Sequence, residues 1–402
     1  MIHHISLKQT TKSSLRFQVL VFTSTRVVLN TMYRMVYPFL SAFGRGLGVD
    51  VPSTALAVTV RSLSGMVAPF LAFVADSRGR KLGMLLGVGF FIAGTGIVVL
   101  WPTYPVFVLA LVLTMMGKYV FDPAMQAYLG DRVAYQRRGR VLAITEYGWS
   151  LSLIIGIPVA GFLIARRGWM APFTLLALLG LVAFLLLAWM LPKDPKPDSG
   201  NPAFWLNLRA ILTYGPALLA LGFGIFMSVA NEVVNLVFGV WMEDAFSLKI
   251  AALGAASAVI GFSELGGETL SVWLTDILGK TVAVALGLAL NCFAALALPF
   301  LGSSLPGALV GLFLFYLTFE FTIVSSIPLM TEIMPSARAT LMAVNVAGLS
   351  LGRAVGALLA TQFYAWSKVY PSLPDLLLNA LVALLFNLLA LCTLYFLRRY
   401  IR

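Results

Sequence analysis

Charge is what this sequence has least of: 11% of its 402 residues are Asp, Glu, Lys or Arg. An ordinary soluble domain carries about 25%. So thin a supply cannot cover the surface of a soluble protein of this length, which excludes a soluble enzyme, a disordered chain and a nucleic-acid binder. Histidine is nearly missing too, since the two present, His3 and His4, lie in the N-terminal tail. A histidine metal site in the body of the chain and a histidine proton relay are thereby excluded. The two cysteines, Cys292 and Cys392, sit in apolar runs and imply no disulfide framework. No phosphate-cradling glycine loop appears, which argues against ATP as the energy source. Neither a metal cluster nor a nucleophile constellation is visible, so no enzyme and no cofactor are expected.

What the chain does have is apolar length, with 60% hydrophobic residues. A spanning helix needs about 20 mostly apolar residues. Twelve stretches qualify: 17–43, 52–75, 81–101, 104–129, 141–165, 170–191, 210–241, 250–274, 281–301, 306–331, 339–366 and 374–397. Gly, Pro or charge fills the breaks between them. The first run is too long for a cleavable signal, and the spans are too long for barrel strands. The polar stretch PKDPKPDSGNPAFWLN at 192–207 follows the sixth span. It reads as an extended linker (192–209) between a first half, 1–191, and a second, 210–402. The expected fold class is an all-α membrane protein of two six-helix halves.

Positive charge sets the orientation. With the N-terminus inside, inner segments hold eighteen Lys and Arg and outer loops hold five, Arg45, Arg166, Arg167, Lys249 and Lys368. The remaining five, Arg26, Arg34, Arg61, Lys118 and Arg353, fall within spans. Both termini are therefore expected in the cytoplasm, with the chain in the cytoplasmic (inner) membrane. The net charge of +12 is mostly this topology signal, so no nucleic-acid partner is read from it.

The halves repeat at a constant offset of 200. Asp76, Gly79 and Arg80 match Asp276, Gly279 and Lys280. Arg138 matches Arg338, and Gly148, Ser150 and Gly156 match Gly348, Ser350 and Gly356. Shared small-residue packing would produce some such matches; a duplicated six-helix unit produces them all. Two such units about a central cavity are the plan of rocking secondary transporters, with the site near the midplane.

The segment Ala75-Asp76-Ser77-Arg78-Gly79-Arg80-Lys81 resembles the loop motif of the major facilitator superfamily, D-x-x-G-R-K/R. Asp276 to Lys280 resembles its degenerate second copy. Ala72 stands where the motif usually opens with glycine. The resemblance covers the whole chain. It implies a conformational lock in Asp76, Gly79, Arg80, Lys81, Asp276, Gly279 and Lys280, made by contacts between the halves, while Arg78 is read as an ordinary loop charge. In the fifth span, Gly148 and the run Gly156 to Gly161 partly resemble the glycine-rich patch of proton-driven exporters. Pro158 and Gly161 fit it; Leu153, Ile157 and Phe162 stand where glycines are expected. Bending and close packing explain these residues as well as antiport does. The fourth span has Leu113 where the family often has arginine, and its base is Lys118.

Ionisable groups at bilayer depth cost about 2.5–3.5 kcal/mol each on insertion scales and usually face a bundle interior or water. Eleven are retained: the five bases above with Asp122, Glu146, Glu232, Glu264, Glu268 and Glu320. Arg26, Asn30, Tyr33 and Tyr37 form a polar stripe on the first span, with Arg34 at its edge. Of these, Arg26, Asn30, Tyr33 and Arg34, with Arg61, Glu146, Asn231 and Glu232, are the candidate substrate-binding residues. Lys118 and Asp122, four apart, can pair within one helix. Glu146 is placed to answer Arg26, Arg34 or Arg61. Glu264 and Glu268, also four apart, are suited to share a proton. With Glu320 and Asp122 they are the candidate proton-coupling residues. Four of the five bases lie in the first half and four of the six acids in the second, which predicts a positive and a negative wall.

The expectation is a monomeric secondary transporter working by alternating access, with a small-molecule substrate, a proton and the lipid bilayer as partners. Proton-coupled efflux of a small, partly hydrophobic organic solute is the first reading. Uptake of a small anionic metabolite by a symporter or facilitator is the second, and a lipid flippase on the same fold the third.

Overall fold

The computed structural model describes residues 14–71, 79–192, 203–370 and 372–401. Twelve helical stretches run through it. In the first half they are α1 (Leu15–Arg34, resuming as Leu40–Leu47), α2 (Val51–Leu71), α3 (Arg80–Leu100), α4 (Tyr104–Arg132), α5 (Tyr135–Leu151, resuming as Ile157–Arg167) and α6 (Ala171–Met190). The second half holds α7 (Gly215–Asn235, resuming as Phe238–Phe246), α8 (Ile250–Leu278), α9 (Lys280–Leu301), α10 (Leu305–Ile333), α11 (Arg338–Val369) and α12 (Leu377–Ile401). Between the halves, Ala203–Thr213 is helical, so the end of the expected extended linker is a short helix instead.

Local chemistry sets the ends of these helices. Ser14, Asp50 and Ser304 accept N-terminal amide hydrogen bonds at 3.3, 2.9 and 3.4 Å, and prolines occupy the first turns of α2 and α10. α1 stops at Arg34 because Pro38 lacks an N–H and its ring would strike the carbonyl four residues back. α5 takes a π turn over Ser152–Gly156 just ahead of Pro158, where the same donor is missing.

Eleven of the helices are long and apolar enough to cross a membrane. α1 is the twelfth crossing and is too polar to count by that measure. Protein covers its polar side chains: Arg26, Asn30, Thr31 and Arg34 are all buried. The outer surface is apolar, with Trp273, Ile277 and Phe293 more than two-thirds exposed, as suits a lipid-facing wall.

The second half repeats the packing of the first. α1 packs on α5 and α6 as α7 packs on α11 and α12, and α3 on α4 as α9 on α10. The halves meet through α5 against α8 and α2 against α11. The repeat reaches single residues: Gly79 and Gly279 open α3 and α9 at φ 102° and 80°, where a side chain would be strained. Arg80 pairs with Asp131 at 3.5 Å, and Lys280 pairs with Glu332.

An even number of crossings puts the two ends of the described chain, Ser14 and Ile401, at one face. At the opposite face the halves are pressed together. A Cβ on Gly239 would lie 2.6 Å from the Cα and carbonyl oxygen of Pro38, so only glycine lets the resumed part of α7 lie against the break in α1. Arg45 and Glu243 pair across the same seam at 2.8 Å. Where α5 crosses α8, a Cβ on Gly161 would stand 3.3 Å from the Cα of Gly254. Close packing is therefore a sufficient role for the glycines of the fifth span.

Candidate functional site

A cavity of about 420 Å³ lies between the halves, a size ordinary for a small-molecule site. α1 contributes Tyr33, Arg34 and Tyr37 to its wall, and α5 contributes Glu146, Tyr147 and Trp149. Asn231, Glu232 and Asn235 come from α7, Glu264 and Glu268 from α8, Tyr316, Phe319 and Glu320 from α10, and Arg353 from α11. At the closed end Tyr33, Tyr37 and Tyr316 are buried, whereas Tyr147 and Val272, nearer the chain-end face, are exposed. The cavity thus runs from mid-membrane toward the face that carries the chain ends.

The eleven intramembrane charges sort into three groups. The first lies within the first half and balances itself. Arg26 meets Asp122 at 3.2 Å and Glu146 at 2.7 Å, and donates to the Thr145 carbonyl at 2.9 Å. Lys118 holds Asp122 and the Asn30 side-chain oxygen, both at 2.7 Å. Asn30 in turn donates to the Gly148 carbonyl at 3.1 Å. Two bases and two acids cancel here.

The second group spans the seam. Arg34 makes a two-pronged pair with Glu264, one contact at 2.7 Å, and its guanidinium lies 4.2 Å above the Trp149 ring. Glu268 and Glu320 are within electrostatic reach of Glu264 and of each other. Glu268 accepts from Ser150 of the other half at 3.3 Å. Among the described residues, neither Glu268 nor Glu320 has a base in ion-pair contact. One base and three acids leave a formal surplus of two negative charges.

The third group carries the opposite sign. Arg61 is 1% exposed and donates to the Tyr33 carbonyl at 2.7 Å and the Tyr37 hydroxyl at 2.8 Å. Arg353 lines the cavity, and among the described residues no hydrogen bond or ion pair engages it. Glu232, 1% exposed, lies within electrostatic reach of both bases. One Glu232 oxygen accepts from Asn235 at 3.3 Å; its other oxygen and the Asn231 amide nitrogen are buried without partners. Two bases and one acid leave a formal surplus of one positive charge. Tyr316 stands between the second and third groups and donates to Asn235 at 2.7 Å.

Of the expected substrate-binding residues, Tyr33, Arg34, Glu146, Asn231 and Glu232 line the cavity, and so do Glu264, Glu268 and Glu320 of the proton-coupling set. Arg26, Asn30, Arg61 and Asp122 do not. The stripe on α1 faces α4 and α5 at Arg26 and Asn30, and only its last turn reaches the cavity. Arg61 is sealed behind Tyr33 and Tyr37, and Asp122 is shared by Arg26 and Lys118. Of the three partners open to Glu146, Arg26 is the one it meets. The expected positive and negative walls are instead two poles, because three of the first-half bases find partners within their own half. Arg353 was not singled out, although it is the only base within the second-half spans. That isolation is the signal that marks it.

Of the lock residues, Asp76 lies outside the described residues. Lys81 donates to the carbonyls of Ala188 and Leu191 at 2.7 and 2.6 Å, within its own half, and Asp276 is exposed at the end of α8.

The description Major Facilitator Superfamily matches residues 23–234. The uncharacterized MFS-type transporter YceJ of Bacillus subtilis (strain 168) is 24% identical over 86% of this chain and 89% of its own length. A probable sugar efflux transporter of Pasteurella multocida (strain Pm70) is 28% identical over 51% of this chain and 50% of its own. Among solved structures, a D-xylose-proton symporter superposes with a TM-score of 0.78 at 15% identity, covering 96% of this chain and 97% of that one. A bacterial homolog of the human lysosomal transporter Spinster, inward-facing and occupied, gives 0.75 at 14% identity over 96% and 97%. A family match through more than half the chain joins the doubled helical plan and the cavity between the halves: the chain belongs to the major facilitator superfamily, as a multi-pass transporter of the membrane and not an enzyme.

Proposed function

We propose that this transporter exports a small amphiphilic solute bearing a basic nitrogen, in exchange for protons, with its chain ends in the cytoplasm. The observation that carries this reading is the surplus of carboxylates beside an aromatic wall: Glu264, Glu268 and Glu320 against Arg34 alone, near Trp149, Tyr147 and Phe319. Two surplus negative charges at membrane depth call for positive charge, supplied by protons on the carboxyls in one state and by the cation that displaces a proton in the other. The aromatic faces add attraction for that cation. Glu268 and Glu320 are the proton carriers in this scheme. A cation or proton reaching Glu264 competes with Arg34 and so loosens a link between the halves. That couples occupancy to rocking, because only a ligand that treats two states differently can shift them. Names among the relatives include both efflux and proton symport. A neutral sugar would leave the carboxylates unmatched. The anion-uptake reading drew on Arg26, Arg34 and Arg61, and each of these is already engaged.

The test is solute movement in proteoliposomes under an imposed pH gradient, with cationic dyes and a panel of organic anions. Gradient-driven dye accumulation is expected, lost in Glu268→Gln or Glu320→Gln. Anion flux without dye flux would sink the proposal.

A further inference from the structure

The positive pole of the cavity has no use in the scheme just given. It sits on α7 and α11, away from the carboxylates of α8 and α10. Its three charges act on one another: Glu232 is within reach of Arg353 and Arg61, whereas Glu320 is within reach of Glu264, Glu268 and Arg34. Arg61 spends its donors on Tyr33 and Tyr37. Among the described residues Arg353 faces the cavity with its donors unspent, and in the same cavity wall the Asn231 amide, 9% exposed, has a buried nitrogen that donates to nothing. A buried donor without an acceptor costs about 1–3 kcal/mol, more when charged. In a transporter cavity the missing acceptor is supplied by what the cavity carries. A group with one negative charge would cancel the local surplus of one positive.

We propose that the solute is zwitterionic, its oxyanion end taken by Arg353 and Asn231 while its basic nitrogen lies at Glu268 and Glu320. This rests on the proposed function, since it assumes that the carboxylate pole receives a cation. A planar guanidinium grips a carboxylate through two parallel hydrogen bonds, so a carboxylate is the oxyanion it suits best. The aromatic residues around the poles, Tyr316 and Trp149 among them, suit an aromatic or apolar body that carries the two charged groups.

Binding to the purified full-length chain in detergent, measured by isothermal titration calorimetry, tests it. The probes are phenylalanine, its methyl ester and its N-acetyl form, with 6-aminohexanoate and its two blocked forms for a longer reach. The expected order at one or both lengths is zwitterion tightest, ester weaker by about ten- to a hundredfold, the worth of a charge-assisted hydrogen-bonded pair. Arg353→Gln should remove that preference and leave ester binding within about threefold. Ester binding then shows that the variant is folded. Arg353→Lys keeps the charge without the fork and should retain part of the preference. Ester and zwitterion binding equally well would overturn the inference and leave the cation reading standing. Preference for the N-acetyl form would overturn both. No binding of either zwitterion, with the ester bound, would also overturn the inference.

Discussion

Replacing Arg34 with methionine keeps an apolar body against Trp149 and deletes the only cation in contact with Glu264 among the described residues. Both side chains of the pair are under a tenth exposed, so solvent offers little relief. Glu264 is then a buried acid without a base, beside Glu268 and Glu320. Breaking a buried ion pair from one side costs about 3–5 kcal/mol, because the remaining group has lost both water and partner. Glu264→Gln strands the guanidinium instead and should cost a similar amount. Joining the two substitutions removes both charges, so the double variant should recover most of the loss, a coupling of about 1–3 kcal/mol between neighbours. Reversible unfolding by SDS in mixed micelles measures all three variants. A cost for Arg34→Met below about 1 kcal/mol, or a double variant as unstable as the sum of the single ones, would refute the reasoning.

Arg26→Gln should cost less than the ~3–5 kcal/mol of a fully buried pair, because Asp122 keeps Lys118 and Glu146, 45% exposed, is relieved by solvent. Its yield of folded protein should fall while the KM of the surviving protein is unchanged; a raised KM at normal stability would place Arg26 in the site after all. Gly239→Ala forces a methyl against the backbone of Tyr37 and Pro38, at about 1–3 kcal/mol. Cysteine labelling at the Arg45–Glu243 seam should then rise, and unchanged labelling would show that the seam yields elsewhere. Asp50 caps α2, and hydrogen bonds from Ser53 hold its carboxyl below the usual carboxylate range. The stability it adds is present at neutral pH and is lost as pH falls through that lowered pKa. Asp50→Asn should cap without this acid limb, as thermal unfolding at pH 7 and pH 3 would reveal.

The twelve crossings were legible because a span is a composition: twenty apolar residues announce themselves whatever they pack against. The repeat was legible because duplication preserves spacing, and Gly79 and Gly279 share a positive φ at the same offset. The short-range pair Lys118–Asp122 followed from helix geometry alone. What stayed hidden was anything that depends on which helix stands opposite. Periodicity put Arg26, Asn30, Tyr33 and Tyr37 on one face of α1, whereas the helix stops at Arg34 and Tyr37 lies in the break beyond it. It could not say that the face looks at α4 and α5 for two turns and at the cavity only in the last. The same limit separated Arg34 from Glu264, which lie 230 residues apart in the chain and in contact across the seam.

A span can hold a charge for two opposite reasons, to cancel another charge inside the fold or to meet one that arrives from outside, and the residue type is the same in both. Only the local sum distinguishes them. Around Arg26 the sum is zero, and of its four charges only Glu146 borders the cavity. Around Glu320 and around Arg353 it is not zero, and both residues border open space. An uncancelled charge at membrane depth is expensive, and the zwitterion proposed above would lower that cost at both poles of the one cavity. The imbalance between the halves is visible along the sequence, but the two poles exist only once the helices that carry Glu320 and Arg353 stand around the same space.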